Sequence, residues 1–146
     1  MTWLANFDGA CEPYNPGGWG GWGFAIWDPS HQEIANGQGV LEKGRGMTNN
    51  VAEYTAALEC MRRWISLQIT EPLVIRGDSK LVIEQMCGRW RAKAGAYVAV
   101  HHELRALFQA SALPVTWEWV PRTDNARADD LSKLGLIERG VTITVR

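Results

Sequence analysis

The sequence is poor in the features that mark several common protein classes. It has three cysteines in 146 residues: Cys11, Cys60 and Cys87, an odd number at wide spacing with no Cys-x-x-Cys pair. That excludes a disulfide framework and a zinc site of the usual spacing, and makes a reducing compartment the expectation. No apolar run is long enough to cross a bilayer. The opening, Met1 to Asp8, lacks the basic segment and apolar stretch of a secretory leader. A soluble, cytoplasmic protein with no membrane partner is expected. Charge of one sign is missing too. Fifteen Lys and Arg face sixteen Asp and Glu, so no global basic field draws in a nucleic acid. Repeats, low-complexity tracts and linkers are absent, and the length suits one domain, residues 1–146, with a substantial core.

What is present is organised around residues 7–17. The apolar run Trp3-Leu4-Ala5-Asn6-Phe7 reads as a strand, over residues 2–8, that enters a core and ends on Asp8. Gly9 follows at once, then a loop with Asn-Pro-Gly turn chemistry at Asn15-Pro16-Gly17. A carboxylate at the tip of a buried strand is costly to desolvate unless something positive meets it. A metal ion is the obvious candidate, so its other ligands must lie elsewhere in the chain.

Residues 22–28 and about 33–42 read as two further strands, joined by a turn at Asp28-Pro29-Ser30 into an antiparallel meander. Gly18, Gly20 and Gly23 spell G-x-G-x-x-G. They run into a strand rather than a helix, so the spacing favours a turn over a nucleotide-phosphate loop. Thr48 or Asn49 caps a helix that reaches about Ser66. On it Glu53 shares a face with Ala57, Met61 and Trp64; an acid on an apolar face is unexpected, although the helix dipole also favours a Glu in the first turn. Leu73–Gly77 is a strand leading to Asp78, which also suits a helix N-cap, before a short helix over about 79–86.

Gly88–Gly95 is a short connection that interleaves Arg89, Arg91 and Lys93 with Trp90, which suits a nucleic-acid backbone and equally a solvated loop. A helix over 96–111 carries His101 and His102, whose adjacency on a helix does not favour chelation. Residues 115–120 alternate as a strand with Trp117 and Trp119 on one face. Asp124 or Asn125 caps a last helix from Ala126 to about Leu136, which contains Asp129 and Asp130; Gly135 or Gly140 ends it. Val141–Val145 reads as an edge strand or a tail.

The order β-β-β-α-β-α-α-β-α is that of an α/β chain, and sites in such sheets gather at the carboxyl ends of the strands. If the first and fourth strands are parallel neighbours, Asp8 and Asp78 meet there, with Glu53 and Asp129 leaning over the same edge. Four carboxylates without His or Cys suit Mg²⁺ or Mn²⁺ rather than Zn²⁺. They can bridge two ions ~4 Å apart, the arrangement for in-line attack at phosphorus. Without metal they would repel and raise one another's pKa values.

Four motifs in order carry a resemblance. These are Asp8-Gly9-Ala10-Cys11 with Asn15-Pro16-Gly17; Thr48-Asn49-Asn50-Val51-Ala52-Glu53; Gly77-Asp78-Ser79; and Asn125-Ala126-Arg127-Ala128-Asp129. Together they resemble the type 1 ribonuclease H family across nearly the whole chain. The resemblance implies a ribonuclease H-like fold, a five-stranded mixed sheet of order 3-2-1-4-5 flanked by helices. It implies a monomer that hydrolyses the RNA strand of an RNA–DNA hybrid with two Mg²⁺ ions, or Mn²⁺ as substitute, leaving 5′-phosphate and 3′-hydroxyl ends. Asp8, Glu53, Asp78 and Asp129 would be the metal-binding acids, with Asp130 the adjacent decoy. The backbone at Gly9 and Cys11, with Asn49 and Glu53, would read RNA 2′-hydroxyls. Thr48 and Asn50 would hold the DNA strand, and Asn15, Lys80 and Trp90 complete the expected substrate contacts.

Two departures stand out. The family's longer basic protrusion is reduced to Gly88–Gly95, as in archaeal and retroviral forms. The loop His that many members carry before the last helix is replaced by Val120–Asp124, where Arg122 is a substitute able to stabilise charge but not to shuttle a proton. A hybrid-binding module without catalysis and a DNA resolvase or transposase core are the other readings of the sequence. Cleavage of matched duplex DNA would favour the latter.

Overall fold

The computed structural model describes residues 1–144. Its elements are β1 (Trp3–Glu12), β2 (Trp19–Trp27), β3 (Glu33–Leu41), α1 (Asn49–Ser66), β4 (Leu73–Gly77), α2 (Lys80–Met86), α3 (Val98–Ser111), β5 (Val115–Trp119), a 3₁₀ turn (Arg122–Asp124) and α4 (Ala126–Glu138). The sheet has the order β3-β2-β1-β4-β5. β1, β2 and β3 form the antiparallel meander, and β1, β4 and β5 run parallel. This is the mixed α/β sheet expected from the sequence.

Apolar residues explain the layers. Phe7 and Ala5 of β1, with Ile75 and Leu73 of β4, are fully buried, as are Tyr54, Met61 and Trp64 of α1 and Leu104 of α3. α1 lies on β1 and β2 and touches α3, while α4 lies on β1, β2 and β3. The α1 stripe of Glu53, Ala57, Met61 and Trp64 is buried throughout. Thr48 caps this helix, its hydroxyl oxygen accepting from the Val51 N–H at 3.2 Å.

Several expectations are corrected. β1 does not stop at Asp8; it stays paired with β2 out to Glu12↔Trp19, so Asp8 sits inside the strand. The glycine-rich run is strand rather than turn, since β2 starts at Trp19. Gly21 and Gly23 are needed because α4 packs directly on the sheet: a Cβ at Gly21 would lie 2.0 Å from the Ser132 carbonyl oxygen. Ser79, not Asp78, caps α2. Asn125 occupies the N-cap position of α4 without making a side-chain cap bond. Trp117 is buried whereas Trp119 is substantially exposed, because β5 is an edge strand whose last residue runs past the packed layer. Residues 141–144 form no strand, and Val145 lies outside the described residues.

Gly21→Ala is expected to destabilise the protein by about 1–3 kcal/mol, because the methyl group forces α4 off the sheet. Urea unfolding followed by circular dichroism measures this as a lower midpoint at unchanged slope.

Candidate active site

The acids meet where two strands part. β1 and β4 pair only from Trp3↔Leu73 to Asn6↔Arg76. The last rung is reinforced by Arg76 Nε donating to Asn6 Oδ1 at 2.9 Å. Beyond it β4 ends at Gly77, while β1 continues beside β2 alone, so a notch opens along one edge of β1. Asp8 stands at that notch on β1, and Asp78 at the end of β4.

Glu53 arrives from α1 because Gly9 lets the helix touch the strand. A Cβ on Gly9 would lie 2.3 Å from the Glu53 nitrogen. Asp129 arrives from the opposite layer, in the first turn of α4. A cavity of about 230 Å³ results, lined by Asp8, Gly9, Asn49, Glu53, Asp78, Arg122, Asp129 and Lys133 among others. Asp130, the next residue, is exposed and does not line it.

Oxygen atoms of Asp8, Glu53 and Asp78 all lie within 4.8 Å of one another. Asp129 is outside this tight triad and has cations of its own: Lys133 Nζ at 3.2 Å and Arg122 at 4.0 Å. The triad has no comparable relief. Burial, then the charge of Asp78, pushes the Asp8 carboxyl up to about 8. Burial and then Asp8 push Glu53 well above the usual carboxylate range. Asp78 is raised by burial, partly offset by a hydrogen bond from Asn125 and by the Arg122 charge. Glu53 Oε2 is buried without a hydrogen-bond partner. A hard divalent cation fits this donor set: it would satisfy the orphaned oxygen and offset both the burial of the three carboxylates and the repulsion between them.

The remaining expected residues are distributed around this centre. Asn15 Oδ1 accepts from the Asn49 N–H at 3.1 Å, tying the β1–β2 loop to the start of α1 and holding Asn49 at the cavity. The Cys11 side chain is buried, its thiol donating to the Tyr14 carbonyl at 3.0 Å, and Cys11 does not line the acid cavity. Thr48, Asn50, Lys80 and Trp90 do not line the acid cavity. Lys80 Nζ sits 4.8 Å over the Trp119 ring, whose indole N–H donates to the Asp78 carbonyl at 3.1 Å. Trp90 is 48% exposed and lines a separate cavity with Leu81, Gln85, Arg91, Lys93 and Tyr97. Of the three cations around it, Arg89 is taken up by Glu84.

That second cavity is anchored by a buried polar chain. Gln85 Nε2 donates to the Arg91 carbonyl at 3.1 Å and to Tyr97 Oη at 3.2 Å. Its Oε1 therefore accepts from Tyr54 Oη. Tyr54 has one proton to give, so His101 Nδ1, 2.9 Å away, is the donor of that pair. The 88–97 connection is thus fixed to α1, the helix that also carries Glu53.

Sequence reasoning passed over two residues. Lys133 lines the cavity, and its signal was available: i+4 from Asp129 on one helix face. Asn125, a cap candidate and the start of the fourth motif, has no site role in the sequence reading; it is fully buried, with Nδ2 donating to the Phe7 carbonyl at 2.9 Å and reaching Asp78 at 3.4 Å. No sequence signal distinguishes that tie from a cap.

Comparison with known proteins agrees with this geometry. A family model described as "Reverse transcriptase-like" matches residues 6–135. The chain also superposes on the N-terminal RNase H domain of Rv2228c from Mycobacterium tuberculosis with a TM-score of 0.83 and 31% identity, covering 95% of this chain and 96% of that one. The chain belongs to the reverse transcriptase-like, ribonuclease H family. RNase H1 of the archaeon Halobacterium salinarum gives a TM-score of 0.82 at 26% identity, covering 94% and 99% of the two chains. LC11-RNase H1, solved with an RNA/DNA hybrid, gives 0.83 at 22% identity, covering 94% and 98%; at that identity it speaks for the ribonuclease H fold alone. The bifunctional protein Rv2228c is 39% identical over 124 residues, 81% of this chain and 31% of that protein. The chain therefore spans about a third of the length of that relative.

The raised acids set a pH dependence for the metal-free ribonuclease H domain. A carboxyl whose folded pKa is raised stabilises the fold below its unfolded value, and that stability is lost as pH rises through the folded value. Thermal melts in EDTA should therefore fall between pH 5 and 8, the window set by Asp8. Asp8→Asn should flatten the profile and raise the melting temperature at pH 8 by a few degrees, at about 2–4 °C per kcal/mol relieved. A flat wild-type profile would show that the triad is not crowded.

Proposed function

We infer that this protein is an endonuclease that hydrolyses the RNA strand of RNA–DNA hybrids by a two-metal-ion mechanism, leaving 5′-phosphate and 3′-hydroxyl ends. The observation that carries this reading is the crowded triad of Asp8, Glu53 and Asp78, beside Asp129, in a chain of the ribonuclease H family. Asp8, Glu53, Asp78 and Asp129 would hold the ions, Mg²⁺ or Mn²⁺, which supply an activated water and charge neutralisation at phosphorus when bound. No helix among the described residues is long and apolar enough to cross a membrane.

The chain's own residues do the rest. Asp8, Glu53 and Asp78 share one notch, so a phosphodiester reaching them comes up to the unpaired edge of β1. The backbone at Gly9 and Cys11, with Asn49, lies along that edge and reads the sugar, where the 2′-hydroxyl separates RNA from DNA. Recognition through sugar and shape gives little base preference. Thr48 and Asn50 at the start of α1, Asn15 beside them, and Lys80 and Trp90 on the α2 side are the contacts for the rest of the duplex. Arg122 projects at the cavity mouth, 60% exposed in its side chain and 4.0 Å from Asp129, where its fixed charge attends the scissile phosphate without exchanging a proton.

Cleavage of an end-labelled hybrid beside duplex DNA and duplex RNA, in Mg²⁺ or Mn²⁺, tests the reading. Metal-dependent cutting of the hybrid RNA strand, lost in Asp8→Asn, is expected. Hybrid binding with no cutting in either metal would make this a binding module instead. Arg122→Ala should lower turnover, by less than the roughly 100–1,000-fold that a water-excluded donor supplies because the side chain is 60% exposed, without abolishing metal binding measured by calorimetry. An unchanged rate would remove Arg122 from the reaction.

A further inference from the structure

With a net charge of −1, affinity for a polyanion must come from local groups. The cations separate according to their partners. Arg62, Arg89, Arg122, Arg127 and Lys133 are held by carboxylates. Among the described residues, Lys43, Arg45, Arg63, Arg76, Lys80, Arg91, Lys93, Arg105 and Arg139 take part in no ion pair; of these, Arg76 donates to Asn6 Oδ1 and Arg105 to the Met86 carbonyl. Lys80, Arg91 and Lys93 gather on the β5 side of the acid notch. Lys43 and Arg139 converge on the opposite flank.

Sheet order gives that placement. β5, β4, β1 and β2 lie in sequence across the sheet. Lys80 lies over Trp119 at the end of β5, whereas Trp19 opens β2, opposite Glu12 at the end of β1. Because β2 is antiparallel to β1, its first residue sits at the same sheet edge as the acids.

Lys43 Nζ lies 5.8 Å from the Trp19 ring centroid and Arg139 Cζ 5.3 Å from it. Trp19 thus holds two charges that no carboxylate among the described residues neutralises, one from the 42–46 loop and one from the end of α4. With Tyr14, which is 71% exposed, these residues line a cavity of about 350 Å³. It borders the acid cavity: Glu12 and Thr144 line the one, Pro13 and Thr142 the other.

We propose that Lys43, Arg139, Trp19 and Tyr14 form a second nucleic-acid subsite, which takes the phosphodiester backbone of a hybrid strand after it leaves the acid notch on the β2 side. The proposal rests on the hydrolase reading and extends it to a substrate length requirement. Two cations beside an exposed aromatic suit a backbone phosphate followed by a sugar or an unpaired base. The source is either the continued duplex or a single-stranded extension.

The test measures equilibrium binding by fluorescence anisotropy in the Asp8→Asn background, so that the strand is not cut. Three ligands are compared: a short blunt hybrid, a longer blunt hybrid, and the short hybrid with a single-stranded overhang. Lys43→Ala/Arg139→Ala should weaken binding of a longer ligand about tenfold at ~0.1 M salt. It should reduce the slope of log K against log salt by about 2, one unit for each phosphate no longer neutralised. Lys43→Arg/Arg139→Lys should restore the slope, which a merely structural role would not require. A response with the longer duplex identifies a duplex flank, and one with the overhang a single-strand flank. If every ligand binds the double-alanine variant with an unchanged slope, the subsite is wrong and the hydrolase reading stands. If no hybrid binds even before those substitutions, and the wild type cuts none, both fall.

Discussion

Three carboxylates held against one another in a buried notch set the terms for the rest of this molecule. Asp8, Glu53 and Asp78 come from three elements, and each approach is enforced by something stiff. β1 is paired with β2 from Leu4 to Glu12, so Asp8 cannot swing away. Gly9 brings α1 into contact with the strand, which delivers Glu53. Asn125 bonds both the β1 backbone and Asp78, bridging the gap where the β1–β4 ladder stops. Without these constraints, mutual repulsion and desolvation would drive the acids apart. The packing of the core therefore maintains a site that opposes folding, and a bound cation would relieve it.

The fourth acid is different in kind. Asp129 has Lys133 and Arg122 beside it, so its charge is already compensated. The triad, with an orphaned Glu53 oxygen, is not. This difference divides the cavity into an inner set that demands a cation and an outer carboxylate linked to the cavity mouth through Arg122.

Charge elsewhere follows a related logic. A nearly neutral chain cannot attract a duplex over long distances. Five cations without an ion pair fall into two groups, Lys80, Arg91 and Lys93 beside Trp119 and Trp90, and Lys43 and Arg139 around Trp19. Arg91 and Lys93 of the first group lie on the 88–97 connection. That connection is short, and the buried chain of Gln85, Tyr97, Tyr54 and His101 keeps it attached to α1.

Much of this was legible in the sequence. Alternation and helical spacing gave the element order, because burial of apolar side chains imposes period 2 on strands and 3.6 on helices. The acids stood out because a carboxylate on an apolar strand or helix face is expensive without a partner. The choice of Asp129 over Asp130 came from the resemblance to the family, since spacing alone does not exclude the neighbour. Other features needed the third dimension. That β1 runs through Asp8 depends on its pairing with β2, which residue types alone do not reveal. Gly21 and Gly23 looked like part of a turn because their real constraint, the approach of α4, comes from a distant part of the chain. Asn125 looked like a cap because its partners, Phe7 and Asp78, are far from it in sequence. The flank at Trp19 was invisible because Tyr14, Lys43 and Arg139 come together only when the meander and the last helix close on the sheet. The chemistry was thus written in residue types and local spacing, whereas the meeting of those residues, and the charges left without partners, were decided by tertiary packing.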